Sequence, residues 1–244
     1  MLSLHEVEQQ LNVWGWPHHP WEVTLGNTHL AFNPKTLIMT WITMILVMLF
    51  CIAATRNMSL NKPRGAQNIL EILWEFIRGL VNENMDPRKG ASFLSIVITY
   101  FIFILFGNLI GLVPTLTSPT ADYNTTLGLA LCTFCLIFIF GIRYKGLGYF
   151  KHYLKPFVFF LPINIIEDLA KPITLTFRLY GNIYAGEVLI AVLLGMLGGW
   201  IHVFGGFIAS VVWLAFSIFV GCIQAFIFTM LSIAYVGQAV ADDH

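Results

Sequence analysis

Long apolar stretches alternate with short polar ones along this chain, and their lengths carry the first information. Leu37–Ala54 is an 18-residue run without a charge, and Ala91–Val113 is a second of 23 residues. A third and shorter run, Leu127–Ile142, reaches back to about residue 125, and a fourth, Gly206–Val236, is 31 residues long. Phe157–Gly198 is apolar in outline too, but it carries Glu167, Asp168, Lys171, Arg178 and Glu187. Windows of about 20 apolar residues cross a bilayer as helices. The pattern therefore predicts an all-α integral membrane protein with five crossings, over about 37–54, 91–113, 125–142, 157–198 and 206–236.

One interval has a different rhythm. In AQNILEILWEFIRGLVNEN, residues 66–84, Ile69, Leu73, Phe76, Ile77 and Leu80 share one helical face. Glu71, Glu75, Arg78 and Asn82 fall on the other. This is amphipathic periodicity, best met by a helix lying on the membrane interface; a short soluble hairpin is the alternative.

Basic residues orient the crossings. Arg56, Lys62, Arg64, Arg78, Arg88 and Lys89 lie between the first two runs, and Arg143, Lys145, Lys151 and Lys155 follow the third. The 115–126 loop, the 197–205 turn and the first 34 residues hold none, so ten of the 13 Lys and Arg fall on one side. Cytoplasmic loops collect Lys and Arg, which predicts an extracytoplasmic N-terminal segment, 1–36, a membrane domain, 37–244, and a cytoplasmic C-terminus. The start, MLSLHEVEQQL, lacks the basic region of a cleavable signal peptide, so the first span is expected to target the chain.

Composition agrees with the membrane reading and excludes other classes. The sequence is 57% hydrophobic and only 11% charged, with a mean hydropathy of +0.77, whereas soluble domains average about 25% charged residues. Thirteen basic and 13 acidic residues leave no net charge to attract nucleic acid. The Cys132-Thr-Phe-Cys135 spacing matches a redox or zinc motif, but it lies inside an apolar run, as do Cys51 and Cys222. Such chemistry needs a polar, accessible setting, so these thiols read as packing residues. The adjacent His18 and His19 in WPHHPW lack a third ligand and fit an ordered extracytoplasmic segment better than a metal site. No cofactor or metal is expected. No Gly-x-x-x-x-Gly-Lys-[Ser/Thr] motif is present, so any ATP chemistry belongs to partners.

The charged run is the exception that chemistry must explain. Each ionised group near mid-bilayer costs at least ~2.5–3.5 kcal/mol on insertion scales, and such groups mark ion pathways or proton relays. At 100° per residue, Glu167, Lys171, Arg178 and Asn182 fall roughly on one helical face, while Glu187 points to the opposite side. Arginine stays protonated, so Arg178 would act as a gate, and the glutamates as relays. The structural alternative is an Arg178 that is buried and merely paired. The last run, 31 residues and so about 46 Å as a helix, exceeds a hydrocarbon core of about 30 Å. It therefore emerges or tilts by ~50°, beyond the usual ~20°. If 157–198 tilts with it, Glu167 and Glu187 lie ~30 Å apart along the axis but only ~20 Å in depth. Each acid then needs its own water-filled access.

TLTFRLYGNIYAGE followed by GCIQAFIFTMLSIAYV resembles the subunit a family of rotary F-type ATP synthases, as do SPTADYNTTL and IRYKGLGYFKHYLKP. The resemblance runs from about Leu37 to His244. It implies a membrane stator: two long tilted helices forming a hairpin against a ring of c subunits, with ions reaching the ring through two offset half-channels. It implies a peripheral stalk subunit b and the rest of the synthase as further partners beside the bilayer. By motif matching, Arg178 faces the carboxylate of the passing c subunit, Asn182 and Glu187 line the outer half-channel, and Gln224 sits near the arginine. Asp122 and Asn124 match polar positions near the outer access, and Glu167 lies near the cytoplasmic half-channel. Some relatives carry an ionisable residue, often histidine, seven positions before the glutamine. Ser217 stands there, so a proton would pass on water or a hydroxyl. Compact loops and a missing transit peptide favour a bacterial plasma membrane over a thylakoid or mitochondrial inner one. The rival reading is a transporter working alone by alternating access, which usually shows inverted repeats; none is evident in the sequence.

Overall fold

The computed structural model describes residues 21–25, 28–56, 58, 65–113, 116–146, 148–149, 158–196 and 201–241. A two-stranded antiparallel hairpin comes first, β1 (Trp21–Leu25) and β2 (Thr28–Phe32), in register Trp21 to Phe32 and Leu25 to Thr28. The long apolar runs had not pointed to it, although Trp21, Val23 and Leu25 alternate with polar residues, as a half-buried strand does. His18 and His19 lie outside the described residues. The remainder is helical: α1 (Pro34–Thr55), α2 (Ala66–Asn84), α3 (Pro87–Ile110), α4 (Tyr123–Lys145), α5 (Leu161–Met196) and α6 (Ile201–Val240). A single 3-10 turn, Pro119–Ala121, precedes α4, and another, Val158–Phe160, precedes α5.

Local chemistry sets where several helices begin. Asn33 accepts from the Lys35 amide at 3.2 Å, Asp86 from the Arg88 amide at 2.9 Å, and Asp122 from the Asn124 amide at 2.8 Å. Each satisfies a donor that the first turn leaves unpaired. Pro34 and Pro87 follow two of these caps, where a fixed φ suits the helix and the missing N–H costs nothing. The helices thus start ahead of the charge-free runs and take in Lys35, Arg88 and Lys89. Within the spans, the hydroxyls of Thr40, Thr43, Thr55 and Thr99 each donate to the carbonyl four residues back, at 2.8 Å in every case. That keeps a polar group satisfied where lipid offers no partner.

Among the described residues, four helices are long and apolar enough to cross a membrane: α1, α3, α4 and, over Val211–Val240, α6. Half of the α3 span is buried inside the protein but only 17% of the α1 span. Helix α3 is therefore central and α1 peripheral. One core cluster joins α2, α3, α4 and α6 through Ile77, Val81, Phe93, Val97, Ile137, Ile233 and Val236. Gly237 lets α6 approach the end of α2, where an added Cβ would stand 2.8 Å from the Asn84 carbonyl oxygen.

Helix α5 is the charged one. It contains Pro172 and runs antiparallel to α6: Lys171 lies over the Tyr235 ring, Asn182 bonds Gln224, and Gly186 faces Trp213. Residue numbers rise along one helix as they fall along the other.

Candidate functional site

The α5–α6 seam gathers most of the polar groups. Arg178 is half-buried on α5 and, among the described residues, has no ion-pair or hydrogen-bond partner. One turn further along, Asn182 donates through Nδ2 to Oε1 of Gln224 at 2.9 Å, a bond across the two helices. Gln224 is 1% exposed, and its Nε2 finds no acceptor among the described residues. A buried donor without a partner is uncommon and costs about 1–3 kcal/mol. Asn182 and Gln224 are thus brought together, one helical turn along α5 from Arg178, and Leu175, Leu179, Ala225 and Phe228 nearby are all essentially buried.

Glu167 lies apart, three turns before the arginine. It lines a cavity of about 430 Å³ together with Lys145, Asn164, Asp168, Lys171 and Tyr235. On its wall Lys171 is ion-paired with Asp168 at 2.6 Å and lies 5.5 Å from the centroid of the Tyr235 ring. The spacing i, i+3 makes the pair natural on a helix. Pro172 has no amide to offer the carbonyl four residues back, and the charged pair sits at the same turn.

Asp122 occupies a third location. Its Oδ1 caps α4 and its Oδ2 accepts the Thr36 hydroxyl at 2.6 Å, tying α1 to α4. Asn124 beside it is exposed. Ser217 is half-buried on α6, seven positions before Gln224. Glu187 lies within α5, and its side chain is outside the described residues.

One network has no counterpart among the residues that the sequence singled out. Asn108 of α3 accepts from the Thr120 hydroxyl at 2.6 Å and donates to the Gly221 carbonyl of α6 at 3.1 Å. Ser118 bonds Thr120 at 2.6 Å and donates to the Gly107 carbonyl at 2.9 Å. An added Cβ at Gly221 would stand 3.2 Å from the Asn108 Cβ, so glycine permits this approach. Residues 113 positions apart meet here, and no local signal foretells it.

Several helices long and apolar enough to cross a membrane, packed with one charged helix, define a multi-pass helical membrane protein. The chain matches the family described as "ATP synthase A chain" over residues 37–237. It is 52% identical over 246 residues to ATP synthase subunit a of Desulforamulus reducens, covering 98% of this chain and 92% of that one. It is 41% identical to the same-named protein of Priestia megaterium and 38% identical to that of Bacillus subtilis, in both cases over 88% of this chain and 95% of the relative. The chain belongs to the ATP synthase subunit a family.

Proposed function

We propose that this chain is the stator of the membrane sector of an F-type ATP synthase, coupling proton passage to rotation of a ring of c subunits. ATP is made or hydrolysed on partner subunits, and subunit b holds the stator in place. In this reading α5 is a fifth crossing beside α1, α3, α4 and α6, with α2 on the cytoplasmic interface. The N-terminus faces out and the C-terminus faces the cytoplasm of a bacterial cell. The hairpin of α5 and α6 tilts against the ring.

The observation that carries the proposal is Arg178, without a partner among the described residues and one helical turn from the Asn182–Gln224 bond. A structural arginine inside a membrane would be paired, because a lone buried charge is too costly. Arg178 instead keeps its guanidinium available to a partner, and a rotor carboxylate is the matching chemistry. That carboxylate must be neutral to face lipid, and meeting Arg178 favours its ionised form. A proton entering from outside by way of Glu187, Asn182 and Ser217 rebinds it. After nearly a full turn the proton leaves toward Glu167 through the cavity that this acid lines. The fixed cation repels protons that would pass directly. Asp122 and Asn124 stand near the outer access.

Arg178→Ala tests this, since alanine suits a helix. The variant is expected to assemble, to neither make ATP from a gradient nor pump when given ATP, and to leave vesicles leaky. Quenching of a pH dye in inverted vesicles, with complex content checked by blotting, is the measurement. Wild-type pumping would end the gate reading, and loss of the complex would favour a structural arginine.

A further inference from the structure

Arg178 sits on a length of α5 that is gripped from two sides. At about 100° per residue, Leu175 and Leu179 share one helical face, buried in the core cluster with Ala225 and Phe228 of α6. Phe177 and Tyr180 share another face, about 150° round the helix, and Arg178 falls between, about 80° from the leucines and about 130° from the aromatics. The aromatic face meets one residue of α4. The Tyr123 ring lies 6.1 Å from that of Phe177, tilted, and 6.1 Å from that of Tyr180, edge-on. Tyr184, one turn further along α5, stacks on Tyr180 at 5.3 Å and 14° and braces it.

Tyr123 itself has a firm base. It is the first residue of α4, directly after the Asp122 cap that the Thr36 hydroxyl ties to α1, and its carbonyl accepts the Thr126 hydroxyl at 3.0 Å. The helix it meets is less constrained. Pro172 stands six residues before Arg178 and offers no amide to the carbonyl four residues back. Arg178 has no partner among the described residues to hold it in place. Rotating α5 by about 20° carries a group at the helix's outer radius of about 6 Å through about 2 Å. A guanidinium–carboxylate bond spans only about 2.7–2.9 Å, so a slip of that size breaks it.

We propose that Tyr123 is a positioning residue for Arg178: its ring, set against Phe177 and Tyr180, opposes the Leu175–Leu179 contact and fixes the rotation of α5 at the turn that carries the arginine. The inference rests on the reading of Arg178 as the partner of a rotor carboxylate. Two grips on nearly opposite faces resist rotation in either sense, which the leucine face alone does not. Tyr123 acts by shape rather than through its hydroxyl, since both contacts are made by the ring. Because Tyr123 is 42% exposed, cutting it back opens a notch at the surface and no closed void, so assembly is expected to survive.

The test uses inverted vesicles carrying the assembled complex, with complex content checked by blotting. A pH dye reports pumping on ATP and, under a potassium diffusion potential, the passive proton leak. Tyr123→Ala is expected to slow pumping several-fold, as a small misplacement of a reacting group does, and to raise the leak part of the way to that of Arg178→Ala. Tyr123→Phe keeps the ring and is expected to match wild type in both. In an Arg178→Ala background, Tyr123→Ala should add no further leak, because the two changes remove one interaction. Wild-type pumping and tightness in an assembled Tyr123→Ala complex overturn the inference. So does a Tyr123→Phe complex as impaired as the alanine variant, since the hydroxyl would then be the working group. A leak that adds to that of Arg178→Ala also overturns it, since Tyr123 would then be a plug of its own. If Tyr123→Ala does not assemble, Tyr123→Leu carries the same comparison, and failure of both assigns the residue to packing alone and overturns the positioning role. With Tyr123 intact, wild-type pumping by Arg178→Ala would instead remove the underlying reading and, with it, the purpose of the grip.

Discussion

Asp122→Asn asks whether this carboxylate carries protons or ties the bundle together. The motif match puts it near the outer access, yet both its oxygens are engaged, Oδ1 with the Asn124 amide and Oδ2 with the Thr36 hydroxyl at 2.6 Å. Asparagine caps a helix as well as aspartate does, and its Nδ2 can donate to Thr36 with the hydroxyl reversed. A charge-assisted bond worth ~1.5–3 kcal/mol becomes a neutral one worth ~0.5–1.5, a loss of about 1–1.5 kcal/mol. Asp122→Ala loses the cap, ~0.5–2 kcal/mol, and the whole charge-assisted bond, so about 2–5 kcal/mol in all. The assay is the rate of heat inactivation of pumping in membranes, beside pumping itself at room temperature. At ~1.4 kcal/mol per tenfold in rate, the asparagine variant should inactivate within about tenfold of wild type and the alanine variant more than about thirtyfold faster. Thr36→Val should add little to Asp122→Ala, because they share one interaction. An assembled, heat-stable Asp122→Asn complex that does not pump would refute the tether, since only titration of the carboxylate would then explain the loss.

Two further outcomes follow from the same picture. Glu187→Gln keeps size and some hydrogen bonding but cannot carry a proton, so the complex should assemble with coupled transport strongly reduced. Wild-type transport across a broad pH range would remove Glu187 from the outer path. A cysteine placed between the end of α5 and the start of α6, for example Gly198→Cys, should label from outside in a background lacking the native thiols, and Gly146→Cys only after permeabilisation; reversed labelling would invert the orientation and every half-channel assignment with it.

Much of the architecture is written in local sequence. A run such as Leu37–Ala54 or Ala91–Val113 has one economical solution in lipid, because a helix satisfies its own backbone. Helix starts were also readable in principle, from Asn33-Pro34, Asp86-Pro87 and Asp122, but counting apolar residues alone places each boundary too late. Arg178 and its spacing to Glu167, Asn182 and Glu187 are likewise sequence facts.

What hydropathy does not encode is which face of an apolar helix turns inward, since lipid and protein interior accept the same side chains. Packing alone made α3 central and α1 peripheral. Packing brought Asn182 to Gln224 across 42 positions and Asn108 to Gly221 across 113. It gave Asp122 a partner in Thr36, hollowed the cavity at Glu167, and packed Leu175, Leu179 and Phe228 into one core cluster. These meetings depend on the rotation and depth of whole helices, set by the sum of many small contacts, and only the tertiary structure records that sum.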